Sequence, residues 1–171
     1  MIKSEKKLKE LAAILGKKNV ILISEAIKSL RDEQPYEGAI GLLVSYYDKA
    51  EDLSIRRTIE GFLNDLKDKS IRPEVIAEIK KPWKASTLSM VVSSCWQSGM
   101  DYSDYLGDLA RVFLEGDYST AVECLTVIEE SVHNSDRSKK DEIIRAVENN
   151  PVTTVDEKTA LTLELISILE K

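Results

Sequence analysis

The side chains that could support nucleophilic or metal chemistry are few and widely spaced in this sequence. His133 is the only histidine, and no histidine or cysteine stands three or four residues from it, as a zinc site would require. Cys95 and Cys124 are the two cysteines, and neither is flanked by basic residues that would favour a reactive thiolate. We therefore predict that His133 lies near a helix end and that both cysteines pack in the core.

Acidic pairs and phosphate-binding loops offer no clearer sign of catalysis. A glycosidase-like pair of carboxylates needs an enclosed pocket, whereas the acidic pairs here fall at predicted helix ends or on polar faces: Asp32–Glu33, Glu51–Asp52 and Glu129–Glu130. The glycine-rich motifs G-x-x-x-x-G-K-[ST] and G-x-G-x-x-G do not occur. The sequence therefore predicts no catalytic, cofactor-binding or metal site, and a protein that is not an enzyme.

The composition favours a helical protein with a substantial core. Hydrophobic residues make up 43% of the 171 positions, and seven glycines and four prolines are few for a protein of short strands and turns. The stretch from Ser86 to Met100 carries no charge, but it is shorter than the about 20 residues that span a membrane. With no apolar signal segment at the start, we expect a cytoplasmic protein with reduced thiols and no membrane contact.

Apolar residues recur along the chain with a period near 33 residues. Two columns in the second helices of predicted pairs read Leu22, Ile55, Leu88 and Ala121, then Ala26, Ile59, Val92 and Leu125. In the first helices, Ile40, Leu43, Val44 and Tyr47 are matched 66 residues later by Leu106, Leu109, Ala110 and Phe113. A helix pair cannot bury its apolar stripe alone, so these repeats predict stacked pairs.

The repeats predict an all-α protein in which about five two-helix units form a single domain over residues 1–171. Expected helices span residues 4–16, 19–31, 36–49, 53–68, 73–80, 85–98, 102–115, 118–133, 136–149 and 156–170. The uncharged stretch is then the second helix of the central unit, with Cys95 and Trp96 in the core. Neighbouring units would cover it on both sides.

Two segments resemble known helical repeats. The segment AIGLLVSYYDKAEDLSIRRTIEGFLNDLKD, residues 39–68, resembles a HEAT repeat of the armadillo-like class. Asp52 lies in its turn, where it can cap the second helix, and Arg56–Arg57 follow shortly after. Residues 105–131 are more similar to a tetratricopeptide repeat, through Gly107, Gly116–Asp117–Tyr118 and Ala121. Either resemblance implies a right-handed α–α superhelix with a concave groove, and the HEAT-like class is favoured.

Charge is concentrated in the fourth predicted unit. Between Asp101 and Glu130 there are eight acidic residues and one base, Arg111. The net charge of −6 for the whole chain argues against nucleic acid as a partner. The acidic unit could dock a basic partner, or it could simply provide a soluble surface.

The resemblance to HEAT-like proteins implies a non-enzymatic scaffold that binds a protein or peptide in its groove. The acidic fourth unit indicates that this partner could be basic. The polar positions off the core columns of the second helices are the expected contacts: Arg56, Arg57, Glu60, Ser89, Ser93, Gln97, Glu123, Thr126 and Glu130. An alternative is an enzyme or enzyme subunit with a site on the groove. A HEAT-type DNA glycosylase is one example, and the acidic charge disfavours it. Self-association of the repeats is a third possibility.

Overall fold

The computed structural model describes residues 1–150 and 156–171, and these residues form ten α-helices and no β-strand. The predicted all-α class is therefore confirmed, and each helix boundary lies within four residues of its predicted place. The helices are α1 (Glu5–Gly16), α2 (Val20–Ser29), α3 (Ala39–Lys49), α4 (Leu53–Asn64), α5 (Arg72–Ile79), α6 (Ala85–Gln97), α7 (Leu106–Glu115), α8 (Tyr118–Ser131), α9 (Arg137–Glu148) and α10 (Asp156–Glu170). No helix in this described part of the chain combines the length and apolarity needed to cross a membrane.

The chain divides into two compact units. The first, Met1–Met100, contains α1 to α6, and the second, Asp101–Lys171, contains α7 to α10. In the first unit α2 packs on α4 and α4 on α6, so the second helices of successive pairs are neighbours. That residues 1–171 form one domain stays a prediction.

Local side chains fix where several helices begin. The first N–H groups of a helix have no partner within it, and a polar side chain just before the helix can accept a hydrogen bond from one of them. Asp52 accepts from the backbone N–H groups of Ser54 and Ile55, at 2.8 and 3.2 Å, as its predicted capping role requires. Side-chain caps of the same kind come from Ser4, Asn19, Asp117 and Asp136.

The start of α3 is capped differently, by a residue distant in sequence. Its N-cap is Gly38, which adopts a left-handed backbone with φ of 90° and has no side chain to offer. The Glu74 carboxylate of α5 instead accepts from the N–H of Gly41 at 3.1 Å. Burial raises the pKa of Glu74, although hydrogen bonds from the N–H groups of α3 oppose this. The first turn of α3 therefore depends on α5.

The predicted apolar columns are confirmed in the centre of the first unit. Leu43, Val44 and Tyr47 of α3 are buried, as are Ile55 and Ile59 of α4. In the second unit the predicted counterparts on α7 are all buried: Leu106, Leu109, Ala110 and Phe113. The interior of each unit is therefore built from the stripes that the period of 33 picked out in α3, α4 and α7.

The two column assignments in α2 are wrong, and the column residue Leu88 of α6 is only half-buried. In α2 the buried residues are Ile23 and Ile27, whereas Leu22 is 41% exposed and Ala26 is half-buried. The spacing from α2 to α4 is therefore 32 residues, since Ile23 and Ile27 correspond to Ile55 and Ile59. The start of α2 is apolar at every position from Val20 to Ile23, so its own pattern does not fix the helix rotation.

The uncharged helix α6 is largely buried, as predicted, but Trp96 is not in the core. Cys95 is fully buried, whereas Trp96 is 40% exposed. Adjacent residues in a helix point about 100° apart, so both cannot face the interior of one packed layer. Buried serines of α6 satisfy their hydroxyl groups within the helix, as when Ser94 Oγ donates to the Val91 carbonyl oxygen at 2.7 Å.

Candidate functional site

A cavity of about 290 Å³ opens between α4 and α6 in the first unit. Four of the residues predicted to contact a partner line it: Glu60 from α4 and Ser89, Ser93 and Gln97 from α6. The three α6 residues are spaced four apart, which places them along one side of that helix. The cavity also receives Tyr47 from α3 and Asn64 from α4.

Amide and hydroxyl groups cross the cavity as a chain of hydrogen bonds. The Asn64 side-chain amide donates to Gln97 Oε1 at 2.8 Å, which links α4 to α6. Gln97 Nε2 then donates to Ser93 Oγ at 3.1 Å, one turn back along α6. A carboxamide has two donors and an acceptor with two lone pairs, so these contacts leave hydrogen-bonding capacity on both amides.

Tyr47 fixes the carboxylate of Glu60, and Arg56 packs on the Tyr47 ring. The Tyr47 hydroxyl donates to Glu60 Oε1 at 2.5 Å, and the Arg56 guanidinium lies 4.3 Å from the centre of the Tyr47 ring. Burial, reinforced by the hydrogen bond to Glu60, raises the pKa of Tyr47. One carboxylate oxygen of Glu60 is thus engaged by a phenol that stays protonated. Glu60 is held on the cavity wall as an acceptor.

Arg57 stands apart from this arrangement. It is exposed on α4 and does not line the cavity, whereas Arg56, one residue earlier, stacks on Tyr47. Of the two arginines predicted as contacts, only Arg56 is therefore joined to the cavity residues, and it acts through Tyr47.

The remaining predicted residues share one side of α8 in the second unit. Glu123 and Thr126 are half-buried and Glu130 is exposed. Thr126 Oγ1 donates back to the Val122 carbonyl oxygen at 3.1 Å, so its hydroxyl is already engaged within the helix. Their spacing of three and four residues lets the two carboxylates lie along a single stripe.

The residues with intrinsic reactivity occupy structural positions. Cys95 and Cys124 are thiols buried in the core, as predicted. His133 is exposed in the short 3₁₀ helix Val132–Asn134 that follows α8. Within residues 1–150 and 156–171, no cluster of three or more histidine, cysteine, aspartate or glutamate side chains is placed to bind a metal ion.

Four residues of the cavity were not among the predicted contacts: Tyr47, Asn64, Ser86 and Met90. Asn64 lies on the polar side of α4, four residues after Glu60, so its spacing alone could have added it to the predicted contacts. Tyr47 was assigned to the core, and its ring is indeed buried. Its hydroxyl group was the available signal, because a buried tyrosine usually directs that group to a polar partner.

Comparison with known proteins gives no relative for this chain: it matches no protein-family model, no curated protein and no solved structure.

Proposed function

We propose that this protein is a non-enzymatic binding protein that holds a peptide segment of a partner protein across α4 and α6. The observation that carries the proposal is the cavity between these helices, which gathers Glu60, Ser89, Ser93 and Gln97 with Asn64. These side chains present donors and acceptors on a surface built from rigid helices. Such a surface suits recognition of a polar chain.

The chemistry of the cavity fits an extended peptide with a basic side chain. The amides of Asn64 and Gln97 can each donate to a peptide carbonyl and accept from a peptide N–H. The Glu60 carboxylate can accept a charge-assisted hydrogen bond from lysine or arginine, and such bonds contribute about 1.5–3 kcal/mol. The acidic side of α8 in the second unit, with Glu123 and Glu130, carries the sign of charge that suits the same class of partner.

We also propose that the helix pairs belong to a right-handed superhelix of the HEAT-like class. Two observations support it: α2, α4 and α6 are neighbours in sequence order, and Asp52 caps α4 as in the resembling motif. The test is an experimental structure, in which each helix pair must be related to the next by a similar right-handed rotation. A change of hand between pairs would contradict this assignment.

The binding proposal is tested with an array of peptides of varied charge. We expect lysine- and arginine-containing peptides to bind, and binding to fall in a double variant, Asn64→Ala with Gln97→Ala, and in Glu60→Gln. Asn134→Ala is the matched control, because Asn134 is an exposed amide that lines neither this cavity nor the one described below. Binding of acidic peptides alone, or equal loss in the control, would refute the site.

A further inference from the structure

The first unit contains a second cavity, of about 360 Å³. It shares no lining residue with the α4–α6 cavity. The last turn of α4 and the residues just after α2 and α4 border it, together with the starts of α3 and α5. Much of its wall is apolar, and the apolar side chains include Leu30, Ala39, Ile40, Phe62, Leu66 and Ile71. Its size falls within the about 300–1,000 Å³ that small-molecule sites occupy.

Carboxylates are the most numerous charged groups of the cavity wall: Glu33, Asp65, Asp68 and Glu74, beside Arg31, Lys67 and the Met1 amino group. The cationic groups are already engaged. Arg31 pairs with Asp65, Lys67 Nζ donates to the Ser98 carbonyl oxygen at 2.6 Å, and the amino group donates to Ser70 Oγ at 2.8 Å. A carboxylate keeps acceptor capacity after one such contact, because its two oxygens offer about four lone-pair sites.

Backbone partial charges favour neither sign of ligand, because the ends of α2 and α4 and the starts of α3 and α5 all border the cavity. Helix C-termini carry about half a negative charge and helix N-termini about half a positive charge. The side chains therefore set the charge of the wall. Tyr36 is also on the wall: burial raises its pKa to about 12, and the carboxylates of Glu33 and Glu10 act in the same direction.

Glu74 gives the cavity a carboxylate that would benefit from a cationic partner. Its Oε1 accepts from the Gly41 N–H at 3.1 Å, while its Oε2 is buried and has no hydrogen-bond partner. Burial penalises the charged form of this group. A cation bound in the cavity would offset part of that penalty through its field, whereas an anion would increase it.

We propose that this cavity binds a small organic amine, with its aromatic or branched aliphatic body against the apolar wall and its ammonium group facing the carboxylates. The apolar body gains from leaving water, and the ammonium group gains from the carboxylates of the wall. The site is separate from the proposed peptide-binding function and does not depend on it.

Three probes that share a phenylethyl group and differ in their polar group test the proposal: phenethylamine, 2-phenylethanol and 3-phenylpropionate. Each is titrated into the whole protein, and binding is followed by calorimetry and by amide chemical shifts. We expect phenethylamine to bind about tenfold more tightly than the alcohol, the gain of one charge-assisted hydrogen bond. The carboxylate should bind more weakly than both. Equal affinities, preference for the carboxylate or absence of phenethylamine binding would overturn the proposal.

Variants locate the site. Leu30→Trp fills the cavity from a half-buried position and should abolish phenethylamine binding, whereas Leu53→Trp, at a position 64% exposed outside the cavity, should not. Glu74→Gln keeps an acceptor for the Gly41 N–H, and it should weaken phenethylamine binding while leaving the alcohol unchanged. The amide chemical shifts of each variant without ligand are compared with those of wild type, to verify that the variant is folded. Full phenethylamine affinity in a folded Leu30→Trp protein would overturn the proposal, as would equal losses for amine and alcohol in Glu74→Gln.

Discussion

Gly41, the third residue of α3, faces a buried carboxylate. A Cβ atom at this position would lie 2.9 Å from Glu78 Oε1, closer than such atoms approach in folded proteins. Glu78 is 3% exposed, and its Oε1 accepts from Lys81 Nζ at 2.6 Å, so the carboxylate has little freedom to move. Absence of a side chain at Gly41 is therefore part of how α3 and α5 fit together.

We expect Gly41→Ala to lower the free energy of unfolding by about 1–3 kcal/mol, because displacing Glu78 breaks a buried, charge-assisted contact. Gly61→Ala in α4 is the matched control. There the nearest atom is Arg31 Nη2 at 3.7 Å, an ordinary contact, so alanine should stabilise by about 0.5–1 kcal/mol through its higher helix propensity. Urea denaturation measures both changes. A stabilising Gly41→Ala would contradict the fit described above.

Glu74 predicts a specific pH dependence of stability. Because its pKa is raised in the folded state, protonation favours folding, and the unfolding free energy falls as pH rises through the folded-state pKa. Glu74→Gln stays neutral and can still accept from Gly41. We therefore expect it to unfold at higher urea concentration than wild type at pH 7, with the difference vanishing near pH 4, about the ordinary glutamate pKa. The matched control is Glu51→Gln, at an exposed position, and its urea midpoint is compared with that of wild type at the same two pH values.

Single positions also mark the limit of what could be predicted from the sequence. Ile55 and Ile59 were assigned to the core because their neighbours are polar at helical spacing. Leu43 and Phe113 were assigned to it because they belong to apolar columns that recur 66 residues apart. The burial of Glu78 was not foreseen, since no local pattern reveals that Lys81 and a facing glycine will accommodate a carboxylate. Trp96 shows the opposite error: this large apolar residue was assigned to the core beside Cys95, yet it is 40% exposed.

Helix α4 offers a direct test of its buried face. Ile59 is fully buried, so Ile59→Asp places an unpaired charge in the core and should cost several kcal/mol. Arg57→Ala is the control, because Arg57 is exposed two residues away and should change stability by about 0.5 kcal/mol or less. Glu60 is unsuitable as a control, since it accepts the Tyr47 hydroxyl. Similar urea midpoints for the two variants would show that the face is misassigned.

The end of α7 is held by a lysine from α10. Lys158 Nζ donates to the carbonyl oxygens of Phe113 and Leu114, at 2.9 and 3.3 Å, and to that of Gly116. We expect Lys158→Met to lower the free energy of unfolding by about 1.5–3 kcal/mol, because these carbonyls lose a charged donor at the negative end of the helix. Thermal unfolding measures the loss of stability, and Lys139→Met, at an exposed position, is the control. Equal midpoints would contradict the capping role.

At the level of elements, local chemistry made the helices predictable. Asp52 and Asp117 cap the helices that follow them through bonds to N–H groups two or three residues on, so they mark boundaries that a sequence reader can recognise. The α4–α6 site was predictable in part, because Glu60, Ser89, Ser93 and Gln97 are the polar residues beside buried stripes. The cavity at the ends of α2 and α4 was not, since it arises only where four helix ends meet.

Across the whole molecule, charge differs between the two units. Residues 1–100 contain 17 basic and 14 acidic side chains, whereas residues 101–171 contain 7 basic and 16 acidic ones. This contrast favours a basic partner for the second unit. Surface charges of this kind chiefly affect the rate of encounter, and they are screened over about 8 Å at physiological ionic strength.

We expect the double reversal Glu123→Lys with Glu130→Lys to slow association with a basic peptide selected from the array, most strongly at low salt. Asp104→Lys with Asp108→Lys should have a smaller effect. Asp104 lies in the short 3₁₀ helix Ser103–Tyr105 that precedes α7, and Asp108 lies in α7 itself, where it pairs with Arg111 at 3.4 Å. Stopped-flow measurements at two salt concentrations compare the association rates of the two double variants with that of wild type. Equal slowing would indicate a general field with no preferred side, and no slowing would leave the acidity without a role in binding.

The cap that Glu74 provides for α3 has a consequence for the order of folding. The helices that follow Asn19, Asp52 and Asp117 carry their own start signals, so their first turns can form while the rest of the chain is extended. The first turn of α3 must wait for a residue 33 positions downstream of Gly41. Such a contact requires closure of a loop, so we expect it to form late, on the native side of the folding barrier. Losing it, as in Glu74→Ala, therefore speeds unfolding and leaves the folding rate nearly unchanged.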